Sequence, residues 1–316
     1  MTEDDLLPMP DFDPKATRRA VRRGLTRTAI TVLAALVVLV LVATVGSSLI
    51  QQRGDREMRM TDVLGTAFKI YNPGYDIQVQ DWGATTPLSM SFTVSARPMR
   101  AVGGFVAGYG GAEHVITQDF FGRVGRLPLG NDANTTLSTA IANVSTGNQP
   151  KQDSRKVLAR LPEGLNALAV IEFAKPLTTK ELAAFTARYK TSADKVVYER
   201  RPRSIPITWG GPPMWDRDPM PEMDGTTKTH AIMPDEAIEL DLASFRRWVA
   251  ILQDYDDDNL HDFDLSLARL RKAAKDGLAY AYVDSGATIG ELRKIIEDPL
   301  VQTVRVADVT YDVERP

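Results

Sequence analysis

The chain contains no cysteine, so disulfide bonds and thiolate metal sites are excluded. Histidine is scarce as well: His114, His230 and His261 are far apart and lack the paired spacing of metal ligands. The Gly-x-Ser-x-Gly motif of one large class of hydrolases is also missing. We therefore expect no catalytic residues, no cofactor and no bound metal, and the sequence predicts a protein that is not an enzyme.

The overall charge is small. The net charge is −3, without the basic excess that is typical of nucleic-acid-binding proteins, so no nucleic-acid partner is expected. Hydrophobic residues make up 43% and charged residues 25%, the balance of a folded rather than a disordered protein. Without disulfides, stability must come from a buried core, and the roughly 260 residues that follow the apolar run described next are enough to form one.

One long apolar run lies near the N-terminus. Residues 28–52 carry no charged side chain, and residues 29–50 would form a helix of about 33 Å at about 1.5 Å per residue. This length crosses a hydrocarbon core of about 30 Å, so the sequence predicts a transmembrane helix at residues 28–50. A cleaved signal peptide is the alternative, but its apolar core usually has only about 7–15 residues and ends at a small-residue cleavage site.

The charges on the two sides of this helix differ. Six basic residues precede it, whereas the three arginines within residues 53–59 are accompanied by two acidic residues. The basic side of a membrane helix tends to stay in the cytoplasm, so we place residues 1–27 inside and the large C-terminal part outside the cell membrane. Within the tail, Arg22, Arg23 and Arg27 are predicted to anchor the chain on anionic lipid headgroups.

The part after the helix divides into two regions. In residues 51–130, helix-like spacing of apolar residues predicts a helix at 53–70, and alternation predicts strands at 75–80 and 89–96. The polar stretch 131–153, which is rich in Asn, Thr and Ser, predicts a linker. This linker would separate the first outer subregion from a better organised C-terminal domain.

The C-terminal domain, residues 154–316, contains the same order of elements twice. The first copy is a strand at 167–173, a helix opened by the capping box of Thr178 and Glu181, and a strand at 195–199. The second copy is a strand at 278–283, a helix opened by the capping box of Thr288 and Glu291, and a strand at 301–309. A long helix is predicted between them, at 240–254 and again at 264–275. These patterns predict an α+β fold, with two β-α-β units that share a mixed or antiparallel sheet covered by helices.

Several short segments, taken in order, resemble the sigma-factor regulator family, whose members include anti-sigma factors. The N-terminal segments are Arg22-Arg-Gly-Leu-Thr-Arg27, the apolar run, and Ile70-Tyr-Asn-Pro73. The C-terminal segments are Lys175-Pro-Leu-Thr178, Tyr280-Ala-Tyr-Val-Asp-Ser-Gly286, Glu291-Leu292, and Asp298-Pro-Leu-Val-Gln-Thr-Val-Arg-Val306. The resemblance covers residues 20–110 and 155–312, and it rests on the order and spacing of these segments.

The resemblance implies an outer sensory domain that controls an extracytoplasmic-function sigma factor across the membrane. The implied partners are a sigma factor or an anti-sigma protein, in addition to membrane lipid. This chain departs from the family in its tail, because a helical anti-sigma domain is far longer than residues 1–27. We therefore expect a sensor or partner subunit that does not sequester a sigma factor itself, with a tail that holds at most a linear motif and is otherwise a disordered segment against the lipid headgroups. Whether the chain forms a homo-oligomer is left open.

Two other classes of function fit the same residues. One is a membrane-anchored binding or structural subunit of an envelope complex. The other is a cation-dependent envelope enzyme, which would use the aspartates in Asp254-Tyr-Asp-Asp-Asp258 and the nearby Asp262 and Asp264. The cluster begins like a calcium loop, but Asn259 replaces the glycine at position six and Leu265 the glutamate at position twelve. A solvated break between helices is the interpretation that this pattern favours.

The aromatic residues offer one further candidate site. Residues 202–221 hold six prolines and two tryptophans, Trp209 and Trp215. Rigid loops with exposed aromatic side chains often form recognition surfaces, so these two tryptophans are the candidate surface for a partner or ligand. The alternative is a loop that folds its tryptophans back onto the sheet.

Overall fold

The computed structural model describes residues 14–52, 56–86, 88–102, 111–129, 134–202, 204–214 and 234–311. Its helices are α1 (Pro14–Gln52), α2 (Arg56–Met60), α3 (Thr66–Tyr71), α4 (Thr136–Ala142), α5 (Lys151–Arg160), α6 (Thr179–Tyr189), α7 (Pro234–Ile251), α8 (Asp257–Asp262), α9 (Leu267–Asp276) and α10 (Ile289–Ile295). Its strands are β1 (Tyr75–Thr85), β2 (Ser89–Pro98), β3 (Ala112–Asp119), β4 (Leu165–Leu177), β5 (Lys195–Val197), β6 (Thr208–Trp209), β7 (Ala279–Asp284) and β8 (Val301–Tyr311). The α+β class is therefore confirmed.

Helix α1 contains the predicted membrane helix and extends it at both ends. Its 39 residues give a length of about 58 Å at about 1.5 Å per residue. Within it, Val21–Gly46 is long and apolar enough to cross a membrane, and none of this stretch is buried against the rest of the protein. The folded part of the chain therefore begins after α1.

The segment that follows α1 is helical, as predicted, but it is not a uniform α-helix. A π-helical turn, Thr61–Gly65, joins α2 to α3. Its position places one continuous apolar face toward the core, formed by Met60, Val63, Leu64, Ala67, Phe68 and Ile70. The carbonyl oxygen of Asp62 in this turn accepts a hydrogen bond from the indole nitrogen of Trp248 on α7, at 3.1 Å. This segment is therefore part of the folded core from its first turn.

The first sheet has the order β1-β2-β3, and both of its strand pairs are antiparallel. Alternate residues of β2 point into the core, where Phe92 and Val94 are 2% and 0% exposed. The same core includes Phe68 of α3, so the sheet packs on the helical segment that follows α1. The predicted strands at 75–80 and 89–96 are confirmed, and β3 completes the sheet.

The second sheet has the order β6-β5-β7-β4-β8, and all of its pairs are antiparallel. Strands β4 and β5 lie on either side of β7, while β7 and β8 lie on either side of β4. Neither predicted strand-helix-strand segment therefore forms a pair of adjacent parallel strands. Both predicted capping boxes are confirmed, with Thr178 and Glu181 at the start of α6 and Thr288 and Glu291 at the start of α10.

Two separate apolar clusters cover the two faces of the second sheet. The larger cluster lies on the face that carries Phe173 of β4 and Tyr282 of β7, and it includes side chains of α6, α7, α9 and α10. The smaller cluster joins Leu137 and Ile141 of α4 to Val170 of β4, among others. The stretch 131–153 was expected to be a linker, and its described part instead contains α4, which is packed on the sheet. The apolar residues that lie at a helical spacing of four in this polar stretch could have predicted α4.

A buried ion pair lies beneath α4 on this second face. The guanidinium of Arg305 on β8 donates to the carboxylate of Glu172 on β4 at 2.5 Å, and the two side chains are 5% and 2% exposed. The backbone nitrogen of Ser145 donates to the other carboxylate oxygen of Glu172 at 2.9 Å. Because a buried charge needs a partner, this pair fixes where the chain after α4 can lie on the sheet.

The two sheets are joined by a buried lysine. The Lys195 amine, at the start of β5, donates to the carbonyl oxygens of Pro73 and Tyr75, each at 2.8 Å. Burial lowers the pKa of Lys195 to about 7, and the charge of Lys69 contributes to the decrease. A neutral amine still has two hydrogens to donate, so these two contacts do not require the charged form.

The α4 packing gives a first test of the domain organisation. We expect Leu137→Ala to lower the free energy of unfolding by about 2–5 kcal/mol, because Leu137 is fully buried and its loss leaves a cavity. The exposed neighbour Thr136→Ala is the matched control and should change stability by less than about 0.5 kcal/mol. Urea unfolding of the full chain in detergent, followed by tryptophan fluorescence, measures both. Equal effects of the two substitutions would mean that residues 131–153 are a linker after all.

The buried lysine predicts a dependence of stability on pH. In the unfolded chain a lysine has a pKa of about 10.4, so between pH 7 and about 10 the unfolded state binds more protons at this residue than the folded state. Stability therefore rises with pH in this range, by at most about 1.4 kcal/mol per pH unit from this residue. We expect Lys195→Met to reduce this slope, and the exposed Lys180→Met to leave it unchanged, in urea unfolding at a series of pH values.

Candidate functional site

A cleft of about 370 Å³ lies where the folded part begins, four residues after the end of α1. We call it the juxtamembrane cleft. Its lining residues come from α2 and the π-helical turn, from the end of β3, and from the helical turns after α7. They are Arg56, Arg59, Met60, Val63, Leu64, Gln118, Phe121, Gly122, Tyr255, Asp256 and Asn259. The cleft therefore contacts both the segment that follows α1 and the turns that follow α7, nearly two hundred residues later in the chain.

The wall formed by the end of β3 is held by side-chain amides. The backbone after β3 reverses at Gly122, whose φ of +86° suits glycine. The carbonyl oxygen of Gly122 accepts hydrogen bonds from the amide nitrogens of Gln118 at 2.7 Å and Asn259 at 2.8 Å. The side-chain oxygen of Asn259 in turn accepts from the backbone nitrogen of Val124 at 3.3 Å. Asn259 of α8 thus fixes the turn that presents Phe121 to the cleft.

The opposite wall is held by an arginine. The guanidinium of Arg59 donates to the carboxylate of Asp256 at 2.6 Å and to the carbonyl oxygen of Ile251 at 3.1 Å. It also lies over the ring of Tyr255, 5.2 Å from the ring centroid. Arg59 thereby connects α2 to the end of α7 and to the turn that follows. These contacts join the segment that follows α1 to the C-terminal part of the chain.

The acidic partner of this arginine is itself largely buried. Burial raises the pKa of the Asp256 carboxyl above its usual value, and hydrogen bonds from Gln253 and Arg59 offset part of the rise. The Gln253 contact is a backbone nitrogen that donates to the carboxylate at 2.7 Å. The negative charge of Asp256 is therefore used to hold the wall together and is not presented to the open cleft.

The groups that remain in the cleft are cationic, amide and aromatic. Among the described residues that line it, none is serine, threonine, cysteine, histidine or lysine. Arg56 supplies a guanidinium group beside that of Arg59, which is paired with Asp256, and Phe121 and Tyr255 supply apolar ring surface. This combination suits a ligand that has both an anionic and an apolar part.

The aspartates near residue 256 have separate structural partners. Asp254 pairs with Arg271, and Asp264 pairs with Arg201. The carboxylate of Asp257 accepts from the backbone nitrogen at the start of α9, at 2.6 Å. Within the ranges given above, no group of three or more acidic or histidine side chains could hold a metal ion. The helix break predicted here is present as the 3₁₀ turn Asp254–Asp256 followed by α8.

The structure places Trp209 in the core and not on a surface. The residue is 4% exposed, and its indole nitrogen donates to the hydroxyl of Ser244 at 3.0 Å. Its ring centroid lies 4.9 Å from that of Phe245 and 5.7 Å from that of Trp248. The expected recognition role of Trp209 is therefore corrected, because strand β6 turns the side chain inward onto α7. Trp215 lies outside the described residues.

The arginines that were predicted to anchor the chain lie on the first helix. Arg22, Arg23 and Arg27 are exposed on α1, at the start of the apolar stretch, and their contact with lipid stays a prediction.

The sequence analysis did not single out Ser192 and Lys195, which have the Ser-x-x-Lys spacing of certain acyl enzymes. The Ser192 hydroxyl donates to Asp194 and the Lys195 amine to two carbonyl oxygens, so the two side chains do not form a nucleophile-base pair.

The wall of the cleft can be tested by removing its arginine. We expect Arg59→Met to lower the free energy of unfolding by about 1–3 kcal/mol, because Asp256 loses the charged donor that compensates its burial. Arg56→Met, on the same short helix, is the control and should cost less than about 0.5 kcal/mol. Urea unfolding of the full chain in detergent provides the measurement. Similar losses for both variants would show that the ion pair does not hold the wall.

Compared with known protein families, with curated proteins and with solved structures, the chain has no match.

Proposed function

We propose that this chain is a single-pass membrane regulatory protein that acts through binding and not through covalent catalysis. Its C-terminal part would lie outside the cytoplasm and bind a protein or an envelope ligand. The resulting change would pass through α1 to a sigma factor or to its anti-sigma partner. The observation that carries the proposal is that the first helix after the membrane span belongs to the folded core.

The coupling between the membrane span and the folded part is short and packed. Residues 53–55 separate α1 from α2, and within one further turn the chain reaches Met60, which is 5% exposed. Arg59 and Asp62 then bind the end of α7 and Trp248, respectively. A displacement of α7 would therefore move the segment that leads into the membrane.

The juxtamembrane cleft is placed to bias such a displacement. Its walls are the segment after α1 on one side and the turns after α7 on the other. A ligand shifts an equilibrium only by its difference in affinity for the two states, so a ligand that spreads these walls would favour one position of α1. The π-helical turn supports this role, since single π turns within helices are frequent at functional sites.

The direction of signalling rests on the sequence. The basic excess before α1 supports a cytoplasmic tail, and the resemblance to sigma-factor regulators supports the partner. The proposed output is contact of the tail with a sigma factor or an anti-sigma protein. The residues that line the cleft support a separate expectation, that its ligand has both an anionic and an apolar part.

The test is a crosslinking pull-down from membranes, with the full chain compared with a deletion of residues 2–20. We expect the full chain to capture a sigma factor or an anti-sigma protein and the deletion to lose it, because the tail is the part that faces the cytoplasm. The deletion keeps Arg22, Arg23 and Arg27, so the basic flank of α1 is preserved. If capture is unchanged and all partners are envelope proteins, the chain is an envelope binding or structural subunit.

A labelling control makes that result interpretable. The chain has no cysteine, so a single introduced cysteine reports one position without background. Lys180→Cys on α6, which is exposed, should react with a membrane-impermeant maleimide in intact cells, whereas Thr2→Cys should react only after lysis. If Lys180→Cys in the deletion variant also reacts in intact cells, a loss of capture is not caused by a change of topology.

A further inference from the structure

The end of the first sheet that adjoins α2 exposes large apolar side chains. Outside α1, the two most exposed large hydrophobic residues in the described part of the chain are Phe121 at 85% and Leu88 at 77%. Phe120, the neighbour of Phe121, is 37% exposed. We call Leu88, Phe120 and Phe121 the apolar tip. Large apolar side chains exposed as a group mark a surface that another phase or molecule covers.

The three residues belong to one end of the sheet. Ser89 pairs with Asp119 in the antiparallel register of β2 and β3, so Leu88 and Phe120 both lie just beyond the last pair. The rings of Phe120 and Phe121 meet edge to face, with centroids 5.7 Å apart. The tip is therefore one surface, although its residues come from two turns.

Both turns are held by hydrogen bonds. The hydroxyl of Thr86 accepts from the backbone nitrogen of Ser89 at 3.0 Å, and the backbone nitrogen of Thr86 donates to the carbonyl oxygen of Ser89 at 2.8 Å. The second turn is fixed by the amides of Gln118 and Asn259 on Gly122. These hydrogen bonds fix the backbone of Thr86 and Ser89 next to Leu88, and of Gly122 next to Phe121.

The tip lies on the side of the folded part from which α1 departs. Phe121 and Arg56 line the same cleft. Arg56 is four residues after Gln52, the last residue of α1, so it lies at most about 14 Å from the end of that helix. The membrane that α1 is able to cross is thus the nearest extended apolar phase that the tip can reach.

Basic residues surround the tip. Arg123 and Arg126 follow Phe121 in the same loop and are exposed, and Arg56 lies across the cleft. Two acids near the tip already accept hydrogen bonds from arginines: a carboxylate oxygen of Asp119 accepts from the backbone nitrogen of Arg123 at 2.8 Å, and Asp256 in the cleft pairs with Arg59. Aromatic and leucine side chains next to arginines are the composition of protein surfaces that bind at the membrane interface, where anionic headgroups meet the acyl chains.

We propose that the apolar tip inserts into the headgroup-acyl boundary of the membrane that α1 crosses, with Arg56, Arg123 and Arg126 against lipid phosphates. The folded part is then attached to the bilayer at two places, by α1 and by the tip. Phe121 belongs to both the tip and the cleft, so insertion of the tip and occupation of the cleft are linked. This proposal needs α1 to cross a membrane, but it does not depend on the identity of the cytoplasmic partner.

The test uses the full chain in lipid vesicles with a single dye-labelled cysteine. A polarity-sensitive dye is placed at Leu88→Cys, and the matched control is Val115→Cys, an exposed apolar position on β3 that is 53% exposed and away from the tip. The quencher is a nitroxide on the lipid acyl chains. We expect strong quenching and a blue-shifted emission at position 88, and neither at position 115. Equal signals at the two positions would overturn the proposal.

A second set of variants tests the residues themselves. In the Leu88→Cys background, replacement of Phe120 and Phe121 by serine should remove the quenching, whereas Leu240→Ser, an exposed apolar change on α7, should leave it intact. Quenching should also fall when phosphatidylglycerol is omitted from phosphatidylcholine vesicles, because the arginines lose their anionic partner. Quenching that survives the double serine change contradicts the proposal. If the blue shift grows with protein concentration and occurs without acyl-chain quenching, the tip instead binds a second copy of the chain.

Discussion

The central strands of the second sheet carry apolar side chains on both faces, so the sheet must be covered twice. Residues 165–173 of β4 are all buried, and both apolar clusters draw on β4 and β7. The C-terminal helices cover one face, and α4, which comes from earlier in the chain, covers the other. A sheet that is buried on both sides in this way leaves no open face for a ligand. The candidate site lies instead at the margin of the fold, next to α1.

Buried polar groups fix the relative positions of secondary-structure elements that apolar contacts alone would not fix. Glu172 and Arg305 link β4 to β8 and hold the chain that leaves α4, while Lys195 links the second sheet to the start of β1. Arg59 does the same for α2 and the end of α7. Each of these groups is costly to bury without its partner, so each restricts the arrangement of the elements that it joins.

Local patterns predicted the elements well, and they could not predict how the elements meet. The capping boxes of α6 and α10, the apolar run of β4 and the membrane helix each follow from a few neighbouring residues. The order β6-β5-β7-β4-β8 depends on which strands become neighbours, and the spacing of residues within a strand does not predict its neighbours.

Helix α4 was missed because polar residues dominate its surroundings. The sequence left two positions open for Trp209, exposed or folded back onto the sheet, because a proline-rich neighbourhood indicates a loop but not which way a side chain points. The cleft and the tip were not found, because Phe121 and Leu88 have no special spacing and exposure is a property of the folded chain.

The position of β4 in the sheet has a consequence for how the protein is made. Its two neighbours are β7, Ala279–Asp284, and β8, Val301–Tyr311, so β4 can pair only with strands that are synthesised more than a hundred residues later. Contacts this distant in sequence slow folding and leave apolar strands exposed in the meantime. A ribosome that has just completed β4 has produced a chain that cannot yet fold around this strand. Until the last strand emerges, such a chain is a substrate for chaperones and proteases.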